Sequence, residues 1–401
     1  MNKSTFFSGQ PIFSQLLKFI PKDTVTRIAR DSKADHYCKR FNTYEHLVTM
    51  LYSIFNNCNS LREVTTGMLA SEQRLAHLGI RYHPRRSTIA DANIRRQAEV
   101  FEQIYFSIFK KYISFLSDSR TNSRASKLYM IDSTTIRLFQ DILRTGGQIP
   151  ASGKCKGGIK VHTMMRSDQD VPCMICFSSG VGNDSQYLKE VNLPKGSILL
   201  FDRGYRDFAT YNKLTQNGIT WVTRRSSFLA LKEKETSSRP STDKNIIYDK
   251  EVIIGHRTIR NRVNARFIRY YDEQSGEIYE YFTNNLKMSG STVALLYRKR
   301  WQIEMLFKRM KQNYPLKYFL GDSVNAIKIQ IWCSLIADLL LKIVKKAVAS
   351  KWSFSNLAAM VRLHLMTYID IFSFLKAPEK SLMKLFKQTS KKHTNQLSFV
   401  T

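Results

Sequence analysis

The stretch Tyr297–Lys311 reads YRKRWQIEMLFKRMK. Wound as a single α-helix, it sets Tyr297, Arg300, Glu304 and Lys311 within about 60° of one another around the axis, because each residue advances roughly 100°. One narrow stripe then carries a phenol, a guanidinium, a carboxylate and an ammonium. A lone acid among cations suits a metal ligand beside phosphate-gripping groups. The plainer reading is a solvated face with helical ion pairs such as Arg300 to Glu304. Two further acids favour the first reading. Asp132 closes the apolar run Leu128–Ile131, and Asp202 closes Ser197–Phe201. A carboxylate at a strand end is held by a rigid sheet and faces its open edge, although Asp is also common there as a turn former. Together Asp132, Asp202 and Glu304 offer hard oxygen donors for a pair of Mg²⁺ ions about 3.5–4 Å apart, with Mn²⁺ as the alternative, clamping the attacking and leaving oxygens of a phosphodiester. Arg203, Arg300 and Lys311 are the candidates for holding backbone phosphates.

The elements that must position these residues follow from periodicity. Residues 1–122 read as a helical domain, with apolar residues at helical spacing through Ile12–Ile20, His46–Phe55 and Val100–Phe115 and a capping box at Ser60-Leu-Arg-Glu63. The basic turn RYHPRRS precedes a helix opening at Ser87 or Thr88, whose Thr88, Asp91, Asn93, Arg95 and Arg96 make it a candidate reading helix for a DNA major groove. An ordinary helical bundle with a polar face is the alternative. The polar stretch SDSRTNSRASK marks a boundary. Residues 123–224 then turn strand-like. Leu128–Ile131, Gly158–Met165 and Val171–Phe177 make a meander, Asp184 is placed to cap a helix over SQYLKEV, and Ser197–Phe201 is a buried strand. A helix over Asp207–Thr215 and a strand over Ile219–Thr223 complete an order of three strands, helix, strand, helix, strand. That order predicts an α/β, RNase-H-like core. Residues 225–288 read as a β-rich insertion, 289–345 as the second part of the core with the Glu304 helix, and 346–401 as a C-terminal helical region with a basic tail.

Composition narrows the partner. The net charge of +31 over 401 residues would repel itself in a compact fold unless a polyanion were at hand, and the cations run along the whole chain. Nucleic acid is the expected polyanion. No membrane role is expected: the apolar segment Ile329–Ala349 is broken by Asp338 and Lys342, and the N-terminus lacks the order of a signal peptide. The six cysteines are scattered. Cys173 and Cys176, three apart on a strand, face opposite ways and suit no common zinc, so they read as core thiols of a reducing compartment. Gly147–Cys155 has the wrong spacing for a phosphate-binding P-loop and reads as a basic loop. His162 is either a polar neighbour of the site or a satisfied sheet histidine.

The stretches LYMIDSTTIRLF, KGGIKVH and LLFDRGY, with the pattern Tyr297-x-x-Arg300-x-x-x-Glu304-x-x-x-x-x-x-Lys311, resemble those of DDE transposases of the insertion-sequence-four family. The resemblance spans roughly 125–345, and the segment from GQPIFSQLLKFIP to YCKRFNTYEHLVTMLY is similar to the helical domain at the front of such enzymes. It implies a metal-dependent DNA transposase with Asp132, Asp202 and Glu304 as the catalytic triad. It also implies cut-and-paste movement of an element bounded by inverted repeats: one strand is nicked, its 3′-hydroxyl attacks the other strand to form a hairpin, and the reopened end joins target DNA. Tyr297, Arg300 and Lys311 would then sit on the terminal phosphates beside a flipped base. Relatives use an insertion tryptophan there; residues 225–288 contain none, which leaves Tyr270, Tyr271, Tyr281, Phe282 and Trp301 as candidates. A homodimer on paired DNA ends and a nucleoid-associated, cytoplasmic location follow from the same resemblance. A stand-alone nuclease and a non-enzymatic DNA-binding regulator are the alternatives.

Overall fold

The structure, a computed structural model, describes residues 6–117, 127–137, 158–180, 184–225, 230–238, 243–255, 262–349 and 351–380. The expected linker over 118–126, the loop 147–155 and the tail with Lys391 and Lys392 lie outside them. The chain divides into two compact units, Met1–Leu116 with Arg309–Thr401, and Ser117–Lys308. The expected core segment 289–345 is therefore split. Its second half joins the N-terminal helices because the long apolar helix Val324–Val348 packs along Ala98–Leu116 and Thr43–Phe55.

In the helical unit, Thr43–Phe55 is buried along nearly its whole length. It opens with a capping box in which the Asn42 side chain accepts from the Glu45 N–H and the Glu45 carboxylate accepts from the Asn42 N–H. At Leu61–Leu69 the Ser60 hydroxyl does accept from the Glu63 N–H, but the Glu63 carboxylate takes the Asn59 amide and leaves the box half made. Tyr105 and Phe106 pack on Trp332 with ring centroids 5.6 and 5.8 Å away. Asp338, the charge that interrupts the apolar helix, is buried and holds Arg309 through two bonds of 2.9 and 3.0 Å. Pairing makes the buried charge tolerable. No described helix is long and apolar enough to cross a membrane.

The expected groove-reading helix forms as Arg86–Arg95, with a different division of its faces. Ile89, Ala92 and Asn93 are buried, and Asn93 is bonded to His46. Arg95 is exposed, but Arg96 is only 4% exposed. Its guanidinium donates to Asp35, to Thr43 and to the Phe41 carbonyl, clamping the loop ahead of Thr43–Phe55. Arg96 is thus a structural cation, and the expectation that it reaches for DNA is corrected.

The described residues of the other unit form one nine-stranded sheet. Its strands are β1 (Leu128–Arg137), β2 (Gly158–Arg166), β3 (Pro172–Ser179), β4 (Ile198–Phe201), β5 (Thr220–Arg224), β6 (Ala230–Ser238), β7 (Ile246–Gly255), β8 (Val263–Asp272) and β9 (Glu277–Thr283). They lie in the order β3-β2-β1-β4-β5-β9-β8-β7-β6, with β1, β4 and β5 parallel and every other pairing antiparallel. The helices Ser185–Lys189 and Phe208–Gln216 supply the two connections between β3, β4 and β5. The segment 225–288 was expected as an insertion in the core; its strands extend the same sheet, because β9 pairs with β5 from Val222↔Thr283 to Arg224↔Tyr281. Phe201, Tyr205, Tyr211, Trp221 and Phe282 fill the core under the first five strands and their junction with β9.

Candidate active site

Pairing register brings the first two acids together. The β1–β4 ladder runs from Leu128↔Ile198 to Ile131↔Phe201, so the next residues on the two parallel strands are Asp132 and Asp202. The strand β1 does not stop at Asp132, as the apolar run suggested. It continues to Arg137 on β2 alone, with Asp132 opposite Thr163, because Ser133-Thr-Thr-Ile-Arg137 keeps a strand-forming composition. Asp132 therefore sits where the parallel ladder opens, within an antiparallel one.

The third acid arrives on a helix that is not continuous. Gly290–Arg298 carries Tyr297, and Trp301–Asn313 carries Glu304. Between them the amides of Lys299, Arg300, Gln302 and Ile303 each donate to the carbonyl three residues back, which tightens and ends the first helix. The single stripe from Tyr297 to Lys311 is therefore corrected. The break has a chemical consequence. The Tyr297 hydroxyl donates to Asp202 Oδ1 at 3.4 Å, and Arg300 in the turn donates to Asp132 Oδ2 at 2.7 Å and to Glu304 Oε1 at 2.6 Å. The guanidinium also lies 5.5 Å from the Tyr297 ring centroid. Among the described residues the Arg300 Nε, also buried, meets no hydrogen-bond partner.

Electrostatics mark the same cluster. The Asp132 carboxyl is pushed up to about 6, chiefly by burial, with Asp202 and Glu304 adding to the rise and Arg300 and the Ser133 N–H opposing it. The two acids are thus near enough to penalise a charge on Asp132. Burial likewise raises the Tyr297 hydroxyl. Three carboxylates are the right donors for a hard divalent cation. Their spacing is another matter: among the described residues no three acidic, histidine or cysteine side chains converge closely enough to hold one ion. Arg300 stands between Asp132 and Glu304 and offsets their repulsion, so the expected direct meeting of all three acids is replaced by a cluster bridged through a guanidinium.

The remaining candidates divide. Arg203 is exposed on the turn after β4. Lys311 lies in the last turn of Trp301–Asn313, in the part of that helix belonging to the helical unit. Trp301 is 62% exposed. It lines a cavity of about 170 Å³ with Arg224, Tyr279, Tyr281, Tyr297 and Arg298. Tyr270 also reaches this cavity. Phe282, at 1% exposure, faces the core and is removed from the candidates for holding a base. Arg224 and Tyr279 escaped sequence reasoning; their signal is the β5–β9 register, which places Arg224 opposite Tyr281, and the Arg224 guanidinium 5.1 Å from the Tyr279 ring centroid. Asp184 makes no capping bond; it pairs with Lys160 Nζ at 2.5 Å. Cys173 and Cys176 take separate partners, the Met164 carbonyl and Glu190, as side chains on opposite strand faces must.

Residues 123–340 match the family described as Transposase DDE domain, and residues 8–81 match a domain of unknown function. A chain named as the transposase y4zB of Sinorhizobium fredii is 28% identical over 266 residues, covering 65% of this chain and 71% of its own. A Synechocystis chain named as a transposase for the insertion sequence element IS4SA is 27% identical over 261 residues, 64% of this chain and 71% of its own. Among solved structures, the piggyBac transposase synaptic complex with hairpin DNA aligns at a TM-score of 0.45 and 12% identity, covering 92% of this chain and 82% of that one.

Proposed function

The chain belongs to the DDE transposase family of insertion sequences, and on that premise we propose that it is an active enzyme that cleaves DNA at an element's inverted-repeat ends and joins them to target DNA. The observation that carries this reading is the pair of bonds from Arg300 to Asp132 and Glu304, beside the Tyr297–Asp202 bond. Three segments remote in the chain deliver their acids to one polar cluster on an RNase-H-like sheet. Asp132, Asp202 and Glu304 would hold divalent ions, Mg²⁺ or Mn²⁺, which when bound polarise the scissile phosphate and activate the attacking oxygen.

This chain's own residues do the rest. Arg300, with one buried N–H still unmet, exchanges its carboxylates for a phosphate of the transposon end, and a bidentate guanidinium fits that geometry. Tyr297 orients the same phosphate. The cavity beside them offers aromatic faces from Tyr270, Tyr279, Tyr281 and Trp301 and cations from Arg224 and Arg298, a composition suited to an unstacked base and its phosphate. A flipped base is what a hairpin route requires. Arg203, Lys311 and Arg95 contact flanking DNA, and one subunit acts on each end, so a homodimer assembles on DNA. The enzyme works in the cytoplasm at the nucleoid.

A strand-transfer assay with pre-cleaved inverted-repeat ends tests this reading. The protein is expected to yield joined products that depend on Mg²⁺. Hydrolysis without joining would favour a stand-alone nuclease, and salt-sensitive binding with no product would leave a DNA-binding regulator.

A further inference from the structure

The loop ahead of Thr43–Phe55 is tied down from within. Asp35 accepts from the Thr43 N–H and hydroxyl at 2.8 Å each, and the Arg96 guanidinium donates to Asp35 at 3.1 Å, to the Cys38 sulfur at 3.3 Å and to the Phe41 carbonyl. The Ala34 and Cys38 amides donate to the Ala29 and Asp35 carbonyls at 2.8 and 2.9 Å. These bonds fix the backbone from Ala34 to Phe41 and leave Tyr37, Lys39 and Arg40 exposed. Tyr37 is 91% exposed and has a φ of +61°, a left-handed backbone that a bulky side chain rarely adopts. Strain of this kind collects at functional sites.

The loop faces the helix Arg86–Arg95 across a cleft of about 270 Å³. Tyr37, Lys39 and Arg40 line one side, and Thr88, Asp91 and Arg95, spaced as one helical stripe, line the other. Asp91 is the one acid among the described residues lining the cleft, and Arg96 is already paired with Asp35. Lys39, Arg40 and Arg95, all exposed, therefore outnumber it. The Arg40 guanidinium also lies 5.3 Å from the Tyr82 ring centroid, within cation–π range, which joins the loop to the basic turn RYHPRRS. Cations in excess beside an exposed aromatic ring are the composition of a nucleic-acid surface.

We propose that this cleft grips duplex DNA: Lys39, Arg40 and Arg95 take backbone phosphates, and the Tyr37 ring stacks on a base at an opened step. The proposal rests on the reading that the chain acts on DNA, and on nothing about metal ions. It changes the part played by the helix Arg86–Arg95. With Ile89, Ala92 and Asn93 buried, that helix supplies one wall of the grip, and the loop supplies the other. Arg96 then has a purpose beyond packing, because it holds the two walls together. A ring on a fixed loop stacks without first losing the freedom of a mobile one.

The test is the affinity of the full-length protein for an inverted-repeat duplex, read by fluorescence anisotropy across a salt series. Arg40→Ala is expected to make the slope of log affinity against log salt shallower by about one, the signature of a lost phosphate contact. Lys39→Ala is expected to do the same, and it carries the charge arm if Arg40→Ala fails to fold. Tyr37→Ala is expected to weaken binding about tenfold at every salt concentration with the slope unchanged, and Tyr37→Phe, which keeps the ring, to stay within about twofold of wild type. Wild-type affinity in Tyr37→Ala, an equal loss in Tyr37→Phe, or an unchanged slope in both charge variants would overturn the grip. Absence of salt-dependent duplex binding by the wild-type protein would instead overturn the reading that the chain acts on DNA.

Discussion

Asp202→Asn is expected to lower strand cleavage about a thousandfold while leaving duplex binding nearly intact. Asparagine keeps the side chain's volume and an Oδ1 that can accept from Tyr297, so the 3.4 Å contact and the buried turn survive. What disappears is one of the three carboxylates gathered around the Arg300 guanidinium and the Tyr297 hydroxyl. On the proposed reading Asp202 would be an anionic ligand of a hard divalent ion, and its loss would remove several kcal/mol of transition-state stabilisation; a thousandfold corresponds to about 4 kcal/mol. Duplex affinity, by contrast, would come from phosphate contacts spread over a chain of net charge +31, to which the substitution adds no penalty. Removing the Asp202 charge also relieves part of the repulsion on Asp132. Gel-shift and cleavage assays on one preparation check both halves. Cleavage at the wild-type rate would remove Asp202 from the chemistry.

The largest stability effect is expected away from the acids, at Arg266. This guanidinium is buried on β8 and makes two bonds to the equally buried Asp249 on β7, at 2.7 and 2.5 Å. It also donates to the carbonyls of Asn285 and Met288, at 3.2 and 2.5 Å. Those carbonyls belong to the segment that leads into Gly290–Arg298, so the ion pair anchors the start of the helix bearing Tyr297. Arg266→Met leaves Asp249 as an uncompensated buried charge and frees two carbonyls, a loss of about 3–5 kcal/mol. Urea unfolding measures it, and the Asp249→Leu/Arg266→Met pair is expected to recover much of the loss, since matched apolar residues often replace a buried pair without cost. A change below about 1 kcal/mol in the single variant would show that the pair is not an anchor.

Much of this site could be read from residue types. Asp132 and Asp202 declared themselves because each follows a run of strand-forming apolar residues, and parallel register then made them neighbours. The Arg300–Glu304 pair follows from helical spacing alone. The helix break at Lys299 and Arg300 could not be read, since no proline or glycine marks it and the tightening shows only in hydrogen-bond pattern. The role of Arg96 was hidden for a related reason: its helix position looks outward by composition, and only the loop at Asp35–Thr43 turns it inward. Joining of β9 to β5 depends on pairing between segments far apart in sequence, which periodicity cannot see. Arg224 and Tyr279 entered the site by that route, and Asp184 left its expected capping role because Lys160 on β2 was within reach.

On the proposed reading Asp132 and Glu304, bridged by Arg300, and Asp202, bonded to Tyr297, would jointly hold divalent ions when DNA is bound. Anomalous X-ray scattering from crystals of the protein with an inverted-repeat end and Mn²⁺ tests it most directly. The account predicts Mn²⁺ peaks coordinated by all three carboxylates, with Arg300 moved onto a DNA phosphate. Peaks that exclude Asp202 or Glu304, with Arg300 still bridging Asp132 and Glu304 in the DNA complex, would contradict it.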